Sequence, residues 1–436
     1  VSSAPLPPDA LHAAIQNETA YELEERARLI VDRPPTRKST LVALVHSYLA
    51  DAGNLRDVLS RLDPLQKAAV AEAAHAEDGR FPRATFAAKY GRQPEWRSGS
   101  RLPLFFYRDS IPSDLRVRLR ALLPTPQPFV LASSPEPPAT AARGGRQGAP
   151  LTVRATESAA VADLFAVLGL GDLGRIRYSA QTGLPSAASQ RAVAEVLRDG
   201  DFYDGVPIAG FAWPLLVQAG GLVQAPGGGS RLTASGRAAV GGPPYPTLRH
   251  LWQRWLGTET GDEFLRVDGI KGQRALGGLN LTPLQPRRQA IANALAGCPV
   301  GGWVRLDDFL RYMRVERYTF SVVRDPTRLY LGRAVHKTRL EGYDDDDVWL
   351  AVQGRYVLCL LFEYAATLGL IDVAYGAPEG ARDDYHDMWG SGEVDALSRY
   401  DGLGAFRITG LGAYCLGHPD AGAPGGRGRP GKAGAV

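Results

Sequence analysis

Along this chain, apolar residues fall into short helical stretches, each closed by a glycine or a proline-bearing turn. Asp63-Pro64 pairs an N-cap residue with proline at the first helical position and predicts an alanine-rich helix over Leu65 to Ala76. After Asp78-Gly79 a second helix is expected from Arg83 to Tyr90, then an apolar strand over Leu102 to Tyr107 and a helix from Ile111 to Leu123. Farther on, helices are expected over Glu157–Leu168, Pro185–Leu197 and Trp213–Ala219, with a short strand at Ile176 to Tyr178. Thr282-Pro283 opens a last group: a strand at Trp303 to Arg305, a helix over Asp307–Arg314 and a long apolar helix over Tyr356–Leu368.

Two stretches repeat one phrase. Gly221-Leu222-Val223 leads through a glycine-rich turn to Arg231-Leu232-Thr233-Ala234-Ser235-Gly236, and Gly369-Leu370-Ile371 leads through a longer insertion to Arg407-Ile408-Thr409-Gly410-Leu411-Gly412. In both, an apolar helix ends at glycine, a hairpin returns as Arg-(Leu/Ile)-Thr, and the Thr stands where it caps the next helix. Such repetition points to a series of small units. The fold class expected is mainly α with small β-hairpins (α+β), arranged as tandem winged-helix domains. The expected boundaries are an N-terminal helical winged-helix unit at 1–124, a Pro/Ala/Gly-rich linker at 125–150 and a winged-helix unit at 151–242. A helical connector at 243–281 follows, then a last winged-helix unit at 282–417 with an acidic wing insertion, and a disordered basic tail at 418–436.

Composition narrows the classes. At 436 residues, 44% hydrophobic and 22% charged, the chain has the make-up of a soluble globular protein of several domains. No apolar run approaches the roughly 18 residues of a membrane span, and the first residues show no basic end followed by an apolar stretch, so neither membrane nor signal peptide is expected. Cys298, Cys359 and Cys415 share no paired spacing and read as buried, reduced thiols of a cytoplasmic protein. There is no GxxxxGK(S/T) loop, GxSxG elbow, HExxH or paired-cysteine metal signature, so no enzyme, cofactor or metal is expected.

The net charge of +4 says little, but its distribution says more. Arg83 to Arg120 carries a net +6, including Arg83, Lys89 and Arg92. Arg305 to Arg339 carries +5, including Arg311, Arg314 and Arg317. Such stretches suit phosphate contact. Ser189, Gln190 and Arg191 open a candidate recognition helix, Gln and Arg being the side chains that read adenine and guanine edges. In the tail, Arg427-Gly428-Arg429-Pro430 matches the core of a minor-groove AT-hook. The last hairpin is different: Glu379, Asp383, Asp384, Asp387, Glu393, Asp395 and Asp401 face only Arg382 and Arg399. A wing so acidic repels phosphate, so Asp383, Asp384, Asp387, Glu393 and Asp395 are expected to grip a protein partner.

The run Leu104-Phe105-Phe106-Tyr107…Ile111-Pro112-x-x-Leu115, followed by Trp213-Pro214-Leu215-Leu216…Gly221-Leu222-Val223…Leu232-Thr233-x-x-Gly236, resembles the helicase-associated, non-motor region of bacterial XPB-type helicases and its stand-alone relatives. The resemblance covers most of residues 35–417 and implies tandem winged helices, double-stranded DNA as a partner, and a helicase, ATPase or nuclease working beside it. The motor domains are not in this chain. The expected function is therefore a non-enzymatic DNA-binding adaptor of a bacterial, nucleoid-associated complex in genome maintenance or antiviral defence. Two alternatives are carried: a protein-binding scaffold for a chromosome-organising ATPase, and a nuclease with an unrecognised site.

Overall fold

The computed structural model describes residues 10–96, 99–140, 148–275, 278–331, 338–340, 343, 345–385, 388, 394–418 and 421. Two compact units are present, Val1–Val130 with Arg314–Arg317, and Leu131–Met313 with Tyr318–Val436. The described residues are mainly helical with small antiparallel sheets, an α+β arrangement. None of their helices is long and apolar enough to cross a membrane.

In the first unit, α1 (Ala10–Gln16), α2 (Ala20–Arg28), α3 (Lys38–Ala50), α4 (Ala52–Ser60), α5 (Pro64–His75), α6 (Arg83–Tyr90) and α7 (Ser113–Leu122) share one core. The Asp63 carboxylate accepts from the Gln66 amide and the Gln66 side chain answers at the Asp63 amide, so α5 begins where the Asp-Pro signal predicts. The strand expected at Leu102 to Tyr107 is instead a 3₁₀ turn, Leu102–Leu104, running into Phe105 and Phe106. Leu102, Leu104, Phe105, Phe106 and Tyr107 are all buried, and a run without in–out alternation suits a tight turn threaded through the core better than a strand. The chain then reverses at Tyr107–Ser110, where Arg108 (φ 48°) and Asp109 (φ 65°) both hold left-handed backbone. That is the signature of a two-residue hairpin turn usually built from Asn-Gly.

In the second unit β1 (Thr152–Arg154) precedes α8 (Glu157–Asp172), α9 (Ala187–Ala194) and α10 (Ala209–Ala219). The hairpin β2 (Val223–Gln224) and β3 (Arg231–Leu232) follows, then α11 (Ala234–Gly241) and α12 (Pro244–Gly257). Short pairings of β4 (Ile270–Lys271), β5 (Arg274–Ala275) and β6 (Gly278–Leu279) lead to α13 (Leu284–Ala296), β7 (Trp303–Arg305) and α14 (Leu306–Val315). After β8 (Tyr330–Leu331) and β9 (Thr338–Arg339), α15 spans 345–365 with two π-type stretches, Leu350–Gly354 and Leu360–Ala365. Strands β10 (Ile371–Tyr375) and β11 (Leu403–Ile408) form the second copy of the repeated hairpin, closed by α16 (Gly410–Leu416).

The main sheet runs β1-β10-β11-β7, all antiparallel, with Ile371 opposite Ile408 and Phe406 opposite Val304. One hydrophobic core extends from Ala160 to Cys415. Residues that the sequence divides among a middle unit, a connector and a last unit therefore share a single interior, and β1 of the middle stretch completes the sheet of the last. The stretch expected as a linker is also tied down in part: Ser134 and Trp303 exchange backbone hydrogen bonds of 2.9 and 2.7 Å. Cys298, Cys359 and Cys415 are buried and free, burial pushing the Cys298 and Cys415 thiols up to about 12.

Candidate functional site

In each repeat an apolar helix runs directly into the hairpin. The sequence of α10, Ala-Gly-Phe-Ala-Trp-Pro-Leu-Leu-Val from Ala209 to Val217, is apolar all round, which is the pattern of an internal helix. Every residue from Ile208 to Val217 is buried, as is every residue from Gly354 through α15 to Tyr375. The two helices pack against each other. Phe202, leading into α10, meets Phe362 of α15 edge-on at 4.8 Å. The Arg266 guanidinium lies 3.8 Å over the Phe211 ring, pairs with the fully buried Glu363 at 2.7 Å, and donates to the Pro207 carbonyl. Trp255 of α12 stacks on Tyr364 at 4.2 Å. Neither helix has a face left for base edges.

The residues singled out at the start of α9 divide. Ser189 is buried, and its hydroxyl exchanges hydrogen bonds with the Arg177 backbone, locking the turn before the helix. The Ser189 hydroxyl, named among the DNA-contacting residues, is thereby engaged within the fold. Gln190 spends its amide on the Pro185 carbonyl, and Arg191 is exposed. In the first unit Arg83 is exposed and pairs with Asp109 at 2.7 Å, Arg92 is exposed, and Lys89 is held by Glu72. Arg311 lies 3.5 Å from Asp308, Arg314 is half-buried, and Arg317 is exposed with φ 59°. Arg427, Gly428, Arg429 and Pro430 lie outside the described residues, as do Asp387 and Glu393.

The acidic wing is less of a wing than its composition suggests. Asp384 turns inward to a two-pronged pair with the buried Arg355 (2.7 and 2.8 Å) and accepts from Arg382 as well. Asp401 is buried too, taking the Arg355 Nε, the Leu397 amide and the Ser398 hydroxyl. Burial alone raises the Asp384 pKa, but the Arg355 and Arg382 guanidiniums more than offset it and hold the carboxyl well below its usual range. Asp384, expected to grip a partner, is thus held by two arginines of its own chain. Sequence reading missed this because Arg355 sits inside an apolar helix, 29 residues from Asp384. Asp383 and Asp395 remain exposed.

What the fold does present is a groove on either side of the Tyr203–Pro207 loop. Asp201 builds that loop: its carboxylate accepts from the amides of Phe202, Ile208, Ala209 and Gly210, filling the open N-terminal turn of α10. Gly210 lies so close to the Gln190 carbonyl that a Cβ would stand 2.6 Å from it, which presses α9 onto α10. Gly205 turns the loop at φ 71°, and the Tyr203 hydroxyl donates to the Gly376 carbonyl at 2.7 Å, fastening the loop to the last hairpin. One side of the loop is a cavity of about 540 Å³ against α9, and the other a cavity of about 440 Å³ against the segments after β10 and before β11. Tyr203, Asp204 and Val206 border both.

No family model, curated protein or solved structure matches the chain.

Proposed function

We propose that this chain is a non-enzymatic adaptor that holds a protein partner, and that its repeated halves are winged-helix modules turned from DNA reading to assembly. The carrying observation is the packing of α10 on α15, because a helix buried on all sides cannot enter a groove. The likeness to the helicase-associated region of XPB-type helicases supports a helicase, ATPase or nuclease as that partner, within a bacterial nucleoprotein complex. The test is co-expression with the products of neighbouring genes, followed by nuclease treatment and size-exclusion chromatography. A stoichiometric complex that survives removal of nucleic acid is expected. A chain that stays monomeric with each of them, yet binds duplex DNA tightly at physiological salt, overturns the proposal.

A second reading, direct duplex contact, has one specific observation in its favour. In the first unit Arg80, Arg83 and Arg108 are exposed at the Tyr107–Ser110 turn, which Arg83 joins through Asp109, and Arg92 is exposed next to Gln93, whose side-chain amide donates to the Arg83 carbonyl. Replacing Arg92 and Arg108 with Ala would then flatten the salt dependence of duplex affinity, by about one unit of log–log slope for each phosphate no longer neutralised.

A further inference from the structure

We infer that the groove flanking Tyr203–Pro207 receives an apolar segment carrying Lys or Arg, supplied by the protein partner. The inference rests on the adaptor reading and names the chemistry of what is held. Walls of the two cavities are apolar where Val206, Pro207, Pro378 and Leu397 line them. The rims are anionic: Glu195 stands on the α9 side, Asp204 at the loop tip and Glu379 on the hairpin side, all exposed. Among the described residues no Lys or Arg forms an ion pair with any of these three. Two other acids of the groove are already engaged, Asp201 by four amides and Asp268 by Arg399.

Apolar walls between uncompensated carboxylates complement a basic amphipathic segment and repel phosphate. A partner guanidinium at the loop tip would meet the exposed Asp204 carboxylate. Among the described residues, Arg191 is the one cation lining the α9 side of the groove, and its charge opposes such a ligand.

The experiment uses the full chain and a fluorescent leucine–lysine amphipathic peptide, with the leucine–glutamate peptide as control and hydrogen exchange read in parallel with duplex DNA. Binding of the lysine peptide that weakens with salt is expected. The triple variant Glu195→Gln, Asp204→Asn, Glu379→Gln should weaken it about tenfold, three exposed charges each contributing modestly, and Arg191→Gln should tighten it. All four positions are exposed, so folding is not at stake. Equal binding of the glutamate peptide, or an unchanged affinity in the triple variant, overturns this groove as the site while leaving the adaptor reading in place. Duplex-induced protection of α10 or α15 would instead overturn the adaptor reading itself.

Discussion

Thr233 and Thr409, 176 positions apart in the chain, occupy the same site in two copies of one motif. Each Thr Oγ1 donates to the carbonyl of the glycine that ends the preceding helix, Gly221 or Gly369, at 2.7 Å in both cases. Each amide donates to the next carbonyl, Leu222 or Leu370, at 3.0 and 3.1 Å, and each hydroxyl accepts from Gly236 or Gly412 at 3.0 and 2.9 Å. One residue therefore closes the hairpin and caps the following helix. A Cβ on Gly236 or Gly412 would stand 2.1 or 2.0 Å from the Leu222 or Leu370 carbonyl oxygen, which is why glycine follows the Thr by three.

Thr409 is buried and Thr233 only partly so, and the two should differ in cost. Thr233→Ala is expected to lose about 1 kcal/mol, the usual value of an N-cap. Thr409→Ala should lose about 2 kcal/mol, because the buried Gly369 carbonyl is also left without its donor. Urea unfolding of the two variants measures the difference, and equal losses would refute burial as what sets the cost.

Arg355 of α15 should be the position on which the segment between β10 and β11 most depends. Replacing it with Met leaves the buried Asp401 without its cation and Asp384 with Arg382 alone, a loss of about 3–5 kcal/mol. Adding Asp384→Asn to Arg355→Met should recover part of the loss, which separates an uncompensated charge from a packing defect. Asp384 titrates below its ordinary value in the fold, so its contribution is complete above that value and disappears as pH falls toward the folded one. The acid limb of the stability curve should therefore shrink in Asp384→Asn.

The repeated hairpin was legible because each of its residues has a local, geometric reason to be there. Gly221 and Gly369 turn at φ 68° and 75°, Thr caps, and glycine admits a carbonyl. The α5 start was legible for the same reason, as was the apolar character of the helices before each hairpin. What those helices pack against was not, since an all-apolar helix declares that it is buried and not what buries it. Nor could composition assign the acids of the last hairpin. Asp384 and Asp401 belong to Arg355, and Glu363 to Arg266, 97 residues away. The Tyr203–Pro207 groove had one local signal, the Asp204-Gly205 turn, but Asp201, which organises the loop, reads in sequence as one more loop acid.

Asp163 predicts a pH dependence of the opposite sign. Burial pushes its carboxyl up from 3.8 to about 6, against the Arg198 amide bonded to it and the nearby Arg154 and Arg198 charges, while Asp199 adds to the rise. It lines a cavity of about 10 Å³ with Thr367, whose buried hydroxyl has no hydrogen-bond partner among the described residues. An acid with a raised folded pKa binds its proton more readily in the native state, so stability falls as pH rises from about 4 to about 6. The effect is on the order of 2 kcal/mol. Asp163→Asn keeps an acceptor for the Arg198 amide and should abolish this slope, as followed by thermal unfolding across that range. A slope unchanged in the variant would place the titration elsewhere.

The packing of α10 on α15 makes the most direct prediction. Residues Ile208–Val217 and Gly354–Tyr375 are buried without interruption, so their amides can exchange only when the two halves separate or the unit unfolds. Protection in both helices should approach that of global unfolding and should match between them, because one opening exposes both. A groove-reading helix behaves otherwise: its outer face is wet in the free protein and gains protection when duplex binds. Hydrogen exchange of the full chain, with and without duplex at low salt, distinguishes the two. Uniformly slow exchange unaffected by DNA is expected, and Phe362→Ala should lower protection in α10 as well as in α15, since its ring meets Phe202 at the entrance to α10. Fast exchange along α10 while α15 stays protected would mean that the two helices open independently, and α10 would then be free to present a face to duplex.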